Sequence, residues 1–218
     1  MADLVWTDPP YGVAYVGKTS DSLKIRNDDD GAAELVRAAF EGALDAVSPS
    51  APFYCASPAG RAALAFWQAI VAAGWRIHQE LVWVKDVFVL GHSDYHYAHE
   101  PILYGYAPGA GRPGRGKHEG STWFGDNARS SVLPFDRPKR STEHPTMKTV
   151  DLIAHCLANS CRPGGTVLDP FAGSGSTIIA AEQMGLGTLA MEIDPRYAQV
   201  ALERWQAFTG RTAERLDG

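Results

Sequence analysis

Two short motifs near opposite ends of the chain hold the residues best suited to chemistry: Asp8-Pro9-Pro10-Tyr11 and Asp169-Pro170-Phe171-Ala172-Gly173-Ser174-Gly175. Each follows a short, largely apolar run, Leu4 to Trp6 in the first case and Gly165 to Leu168 in the second. Such runs read as strands that deliver a carboxylate to the carboxyl edge of a sheet, where ligand crevices open. In the second motif Gly173, Ser174 and Gly175 let the backbone pass close to a ligand and open the next helix. This loop lacks both the G-x-G-x-x-G spacing and a G-K-[ST] signature, so a nucleoside cofactor without a pyrophosphate fits it better. The first motif offers a carboxylate, two stiff prolines and an aromatic ring. Asp8 can accept one N–H of a conjugated amine and the Pro9 carbonyl the other, turning the nitrogen lone pair out of the ring. Pro9 and Pro10 remove backbone freedom, so both acceptors arrive oriented. Tyr11 can stack on a flat base. The two motifs together imply a cofactor-dependent reaction on a flat, amine-bearing substrate.

The elements that must position these motifs can be read along the chain. Ala2–Thr7 reads as the first strand, and 17–31 as a loop or short hairpin. Ala32–Val47 has the spacing of an amphipathic helix, with Leu35, Val36, Ala39, Phe40 and Leu44 recurring near a helical period. Phe53–Ala56 reads as a strand, and Ser57 as the N-cap of a helix that starts at Pro58 and runs to about Ala73. Trp75–Val84 and His96–Tyr106 read as strands joined by the Lys85–Tyr95 loop. A helix is expected over Met147–Ser160. Strand Thr166–Leu168, helix Ser176–Met184, strand Gly187–Met191 and helix Pro195–Phe208 then follow the βαβα rhythm of a mostly parallel sheet. Asp194-Pro195 reads as an N-cap followed by a first-turn proline. Little room remains after that last helix for a further strand, since Arg211 to Gly218 reads as a frayed tail, so this sheet edge is expected to be short or covered by a partner.

Composition bounds the rest. At 218 residues and 45% hydrophobic content, one globular domain spanning 1–218 with a full core is expected. Cys55, Cys156 and Cys161 lack paired-knuckle spacing, so neither a disulfide framework nor a zinc site is expected. The histidines are too scattered for a metal, and none is expected. No secretory leader or membrane-length apolar run is visible, and a cytoplasmic protein is the expectation. Net charge is −5, but Gly109–Thr142 holds seven basic and three acidic residues, so it carries +4 and the remainder −9. A local basic patch is what phosphate contact requires. The same segment has six glycines, three prolines and little periodicity. It is long for a structureless connection, and segments of that length are commonly functional or disordered.

The motifs resemble those of the S-adenosylmethionine-dependent DNA amino-methyltransferases, in the circularly permuted order that puts the catalytic motif before the cofactor motif. His144-Pro145-Thr146-Met147-Lys148 resembles the segment entering the cofactor half, and 190–197, AMEIDPRY, the ribose-binding strand end. The likeness covers nearly all of the chain. It implies a single-domain Rossmann-like α/β fold, a mostly parallel sheet with an antiparallel edge strand. It makes Asp8, Pro9, Pro10 and Tyr11 the catalytic motif, of the kind more often adenine-specific. Asp169 would face the methionine ammonium of the cofactor, with Phe171 beside the ligand and Ala172, Gly173, Ser174 and Gly175 forming the loop. Glu192 would accept both ribose hydroxyls, in preference to Asp194. Thr146 would bind the cofactor carboxylate, with Lys148 as a helper.

In such proteins the target-recognition region lies where this chain has Gly109–Thr142. Arg112, Arg115, Lys117, Arg129, Arg137, Lys139 and Arg140 would then meet double-stranded DNA. Trp123 and Phe124 would wedge into the duplex or dock on the body. Lys85 stands at a position common in the family, for phosphate contact or pocket closure. Relatives with this motif order suggest a homodimer. The alternatives are a cytosine amino-methyltransferase and a catalytically silent DNA-binding partner.

Overall fold

The computed structural model describes residues 1–11, 31–86, 94–109, 121–136 and 148–216. Strands β1 (Leu4–Thr7) and β2 (Pro52–Ala56) are buried at every position, as central strands covered on both faces must be. Helix α1 (Ala32–Ala43) lies between them in sequence and buries Ala32, Val36, Phe40 and Ala43. Helix α2 (Ala63–Ala72) follows β2, then β3 (Arg76–Val84), β4 (His99–Tyr106) and β5 (Val132–Pro134). The second half runs α3 (Val150–Ser160), β6 (Thr166–Asp169), α4 (Ser176–Gln183), β7 (Gly187–Ala190) and α5 (Pro195–Thr209).

One sheet of seven strands results, in the order β5-β3-β4-β2-β1-β6-β7. All pairings are parallel except those of β4, which runs against β2 on one side and β3 on the other. The reversed strand is therefore interior, and the expected antiparallel edge is corrected. The edge is β5, which pairs in parallel with β3. Its three residues fall inside the segment 109–142, where the sequence predicts no strand. Val132 and Leu133 are too short a run to announce a strand, and the ladder offered by β3 supplies the pairing. Nearby, Phe124 N–H donates to the Asn159 carbonyl at 2.7 Å and the Trp123 ring sits 6.3 Å from that of Tyr104. Trp123 and Phe124 thus dock on the body, the second of their two expected fates.

One helix boundary also moved. The helix expected from Pro58 is preceded by a 3-10 turn, Gly60–Ala62, and Ser57 donates to the Pro58 carbonyl instead of capping. Gly60 at φ +73°, outside right-handed helical backbone, delays the α-helix to Ala63. Asp194 does cap α5, accepting from the Arg196 N–H at 2.9 Å with Pro195 in the first turn. At the other margin, β7 is four residues long with Leu189 exposed, and no strand pairs beyond it among the described residues.

The core has two layers. On one face α1 and α2 press Val36, Phe40, Phe66 and Ile70 onto Val5, Phe53 and Leu103. On the other, α3 and α4 press Leu152, Ile153, Leu157 and Ala180 onto Leu4, Trp6, Tyr54 and Val167. Gly105 on β4 is where the layers leave no room. A Cβ there would lie 2.0 Å from the Arg76 carbonyl oxygen and 2.7 Å from Phe53. The first obstacle is backbone and cannot rotate away. Gly105→Ala is expected to destabilise the fold by about 3 kcal/mol, the upper end for overpacking. Urea denaturation at equilibrium measures it, and a midpoint equal to that of wild type would contradict it.

Candidate active site

Neighbouring strands β1 and β6 are parallel, with Leu4 opposite Val167 and Val5 opposite Leu168. The chain leaves β1 toward α1 on one face and leaves β6 toward α4 on the other, so the sheet has its topological switch point between them. Crevices open at such points beyond the carboxyl ends of the strands. Asp8 and Asp169 stand there, each placed by its strand.

On the β6 side, Asp169 is only 2% exposed. Burial pushes its carboxyl up to about 7, against the opposing donors Thr177 and the Phe171 N–H, while the negative field of Asp8 adds to the rise. Phe171 N–H donates to Oδ1 at 3.0 Å. Asp169 is thus a buried acid supported by neutral donors and facing another anion. The glycine loop is tied to the end of β7. Ala172 N–H donates to the Met191 carbonyl and Met191 N–H to the Asp169 carbonyl, both at 2.9 Å. Glu192 accepts the Gly173 N–H on Oε2 and the Asp194 N–H on Oε1, each at 2.8 Å. Each carboxylate oxygen has two acceptor sites, so Glu192 keeps capacity on both oxygens for a ligand. Gly175 adopts φ +82°, and a Cβ there would come within 2.9 Å of that of Ala201, so glycine alone lets α5 approach the loop. Ser174 is held by Arg204, whose Nη1 donates to its Oγ at 3.0 Å.

On the β1 side the structure assembles a charged cluster. Lys148 Nζ lies 2.7 Å from Asp8 Oδ1, 3.0 Å from Glu100 Oε2 and 3.2 Å from the Tyr11 hydroxyl. Lys85 pairs with the other Glu100 oxygen. The Tyr11 hydroxyl donates to Asp8 Oδ1 at 3.3 Å or to Glu100 Oε2 at 3.2 Å. Its ring meets Phe66 edge-on at 5.9 Å. Burial opposes the charge on Glu100, yet Lys148 and Lys85 hold its carboxyl down at about 2. Burial also opposes the Lys148 charge, but Asp8 and Glu100 prevail and raise its pKa. Burial raises Asp8 from the ordinary carboxylate range, Lys148 draws it back, and Glu100 adds to the rise.

The turn Asp8, Pro9, Pro10 and Tyr11 therefore leaves the carboxyl end of β1 beside the end of β6, from which Asp169 and the loop Phe171, Ala172, Gly173, Ser174 and Gly175 emerge, with Glu192 tied to that loop. Two lysines depart from their expected places. Lys148, read as a helper at the cofactor, sits on the catalytic motif, drawn by two buried carboxylates. Lys85, read for phosphate contact or pocket closure, turns inward to Glu100 and away from the phosphate role, its side chain 9% exposed. Arg129 pairs with Asp126 at 3.4 Å across one helical-type turn. Thr146, Arg112, Arg115, Lys117, Arg137, Lys139 and Arg140 lie outside the described residues. Glu100 went unnoticed in the sequence. Its signal was a carboxylate near the start of a strand whose following positions, Pro101 to Tyr106, are all buried.

A sequence profile of the family described as DNA methylase matches residues 2–203. The chain is 37% identical over 73 residues to the DNA adenine methyltransferase YhdJ of Escherichia coli (strain K12), a stretch covering 34% of this chain and 25% of that protein. Its matches span between 25% and 45% of the length of the curated relatives. Among solved structures it is similar to the M1.HpyAVI–SAM complex, with TM-score 0.66 and 20% identity, over 93% of this chain and 88% of that one. It is also similar to the cytosine-N4-specific PvuII DNA methyltransferase, with TM-score 0.69 and 13% identity, over 93% and 78%.

Proposed function

The chain belongs to the DNA methylase family, and from that premise we propose that it methylates the exocyclic amine of adenine in double-stranded DNA, with S-adenosylmethionine as donor. The observation that carries this reading is the meeting of Asp8 and Asp169 at the carboxyl ends of adjacent strands, one beside a Pro-Pro-Tyr turn and the other beside a glycine loop.

The residues of the β6 side fit that cofactor. Asp169 is a buried carboxylate without a cation among its supporting groups, which suits an ammonium group. Glu192 has acceptor capacity left on both oxygens, which suits a vicinal diol. Gly173 and Gly175 keep side chains out of the loop, and Phe171 supplies an apolar wall. When bound, S-adenosylmethionine supplies an electrophilic methyl on a sulfonium centre. Thr146 remains the proposed partner of its carboxylate.

The catalytic side then acts on the amine. Asp8 accepts one N–H, the Pro9 carbonyl accepts the other, and the nitrogen lone pair turns toward the methyl group. Tyr11, its hydroxyl anchored among Asp8, Glu100 and Lys148, offers its ring to a base extruded from the duplex. The basic residues of Gly109–Thr142 meet phosphates or base edges, and a second copy of the chain helps to hold the duplex. The amine of cytosine can meet the same acceptors, and the likeness to a cytosine-N4 enzyme supports that as a second reading. Incubation with labelled cofactor and genomic DNA, followed by nucleoside mass analysis, tests the proposal. N6-methyladenine is expected. N4-methylcytosine would favour the second reading, and unmodified DNA with intact cofactor binding would favour a silent partner.

Glu192→Gln provides a separate check on the cofactor site. A hydrogen bond to a charged group contributes about 1.5–3 kcal/mol, so the dissociation constant should rise roughly tenfold or more. Calorimetric titration measures it, and unchanged affinity would remove Glu192 from the ribose role.

A further inference from the structure

The buried cluster around Asp8 contains more charge than the proposed reaction has used. Among the described residues, the two donors to the catalytic carboxylate, Lys148 Nζ at 2.7 Å and Tyr11 OH at 3.3 Å, both fall on Oδ1. Lys148 reaches it from the segment that enters α3, far away in sequence. It is gripped from behind by Glu100 on β4 at 3.0 Å, and Glu100 is in turn held by Lys85 at the end of β3. Residues from four elements thus form a chain of contacts that ends on a single carboxylate oxygen. A lysine 5% exposed and shared by two carboxylates is costly to assemble unless its charge is compensated. It also sits on the opposite motif from the one that the cofactor role would require.

Resting on the reading of Asp8 as the acceptor of the substrate amine, we propose that Lys148 and Glu100 are an opposed pair of positioning residues for that carboxylate. Lys148 locks Oδ1 and holds Asp8 as the anion, which assigns Oδ2 to the incoming N–H. Glu100 restrains Lys148, sets how tightly it grips Asp8, and anchors the Tyr11 ring through the same oxygen. Neither touches the reacting atoms in this arrangement.

The pair has opposite electrostatic signs, and that makes it testable. Among the described residues, the charged and titratable groups facing Asp8 are Lys148, Glu100, Tyr11, Cys55 from β2 and Asp169 from β6. Of the first two, Lys148 favours ionised Asp8 and Glu100 disfavours it. An Asp8 that must be ionised to accept the amine loses activity as pH falls through its own pKa. Lys148→Met should therefore move the acid limb of single-turnover methyl transfer upward by about 1–3 pH units, the range for loss of an adjacent opposite charge. Glu100→Gln should move the limb downward. Lys148→Arg should keep the limb near that of wild type while lowering the plateau rate, because the charge remains and the geometry does not. Cofactor affinity should stay within a few fold in all three.

Carboxyl-carbon NMR of Asp8 in labelled protein gives the same midpoints without any turnover. Midpoints shifted in opposite directions, with limbs that follow them, are the expected result. Midpoints that move while the rate limbs do not would leave the pair in place and discard the catalytic role of Asp8. Midpoints unmoved in both Lys148→Met and Glu100→Gln, with activity reduced equally at every pH, would overturn the proposal and leave the cluster a purely structural one. A large loss of cofactor affinity in Lys148→Met without a shifted midpoint would overturn it in favour of the cofactor role. If Lys148→Met does not fold, Lys148→Arg and Glu100→Gln still decide, since an unmoved midpoint in Glu100→Gln alone contradicts the opposition.

Discussion

Asp8→Ala is expected to lower single-turnover methyl transfer by at least about 10²–10³-fold, the scale seen when one preorganised hydrogen-bonding group at a reacting centre is removed. The reason is orientation. The amine lone pair of a base is delocalised into its ring, and an acceptor fixed at the end of β1 turns it toward the methyl group. The prolines that follow freeze that acceptor before substrate arrives. Cofactor affinity should change by no more than a few fold, because, Thr146 apart, the groups proposed to hold the cofactor belong to β6, the glycine loop and the end of β7. Removing the side chain also leaves Lys148 with Glu100 as its remaining carboxylate partner among the described residues. Asp8→Asn, which keeps the shape, is therefore the companion variant, and it should lose nearly as much rate with less loss of stability. Rapid-quench assays on duplex DNA measure both, and a near-wild-type rate in either would end the role assigned to Asp8.

The second large effect concerns Asp169 and pH. Its carboxyl in the free protein is pushed up to about 7 by burial, and it must be ionised to pair with an ammonium group. Cofactor binding should therefore be strongest just above pH 7 and weaken below it, approaching tenfold per pH unit. Near pH 8 the α-amino group of the ligand begins to lose its own proton, which limits affinity from the other side. Binding near pH 7 should release a proton, visible as a dependence of calorimetric heat on the buffer. Asp169→Asn should abolish the acid dependence and weaken binding at pH 7.5 by about 10–100-fold, from the loss of a charge-assisted bond.

The stability effect has the opposite sign. A carboxyl whose folded pKa lies above its unfolded value of 3.8 destabilises the fold once ionised, and this cost grows as pH rises from about 4 to 7. Above pH 7 it amounts to at most roughly 4 kcal/mol, at about 1.4 kcal/mol per unit. Asp169→Asn should therefore raise the melting temperature of the cofactor-free protein at pH 8 and leave it nearly unchanged at pH 4. A melting temperature that falls at pH 8 would contradict the assignment of Asp169 as a strained, ligand-awaiting acid.

Much of this molecule is legible one residue at a time. An apolar run ending in a carboxylate locates β1 and β6, and glycines after the second carboxylate mark the loop. Helical spacing marks α1, and Asp194-Pro195 marks the start of α5. These are local properties, set by side-chain periodicity and backbone preference, and the chain carries them wherever it folds. The order of strands in the sheet is not local. That β4 runs antiparallel in the interior, and that Val132–Pro134 adds an edge strand, depended on which ladder each segment found. The same division separates the candidate site into two kinds of residue. Asp8, Tyr11, Asp169 and Glu192 announce themselves because a motif is contiguous, and each stands at or just past the end of its own strand. Glu100 and the inward turns of Lys85 and Lys148 do not, because nothing near them in sequence requires a partner. Only when β1, β3, β4 and the entrance to α3 meet must four buried or partly buried charges neutralise each other, and that electrostatic demand exists in the folded chain alone.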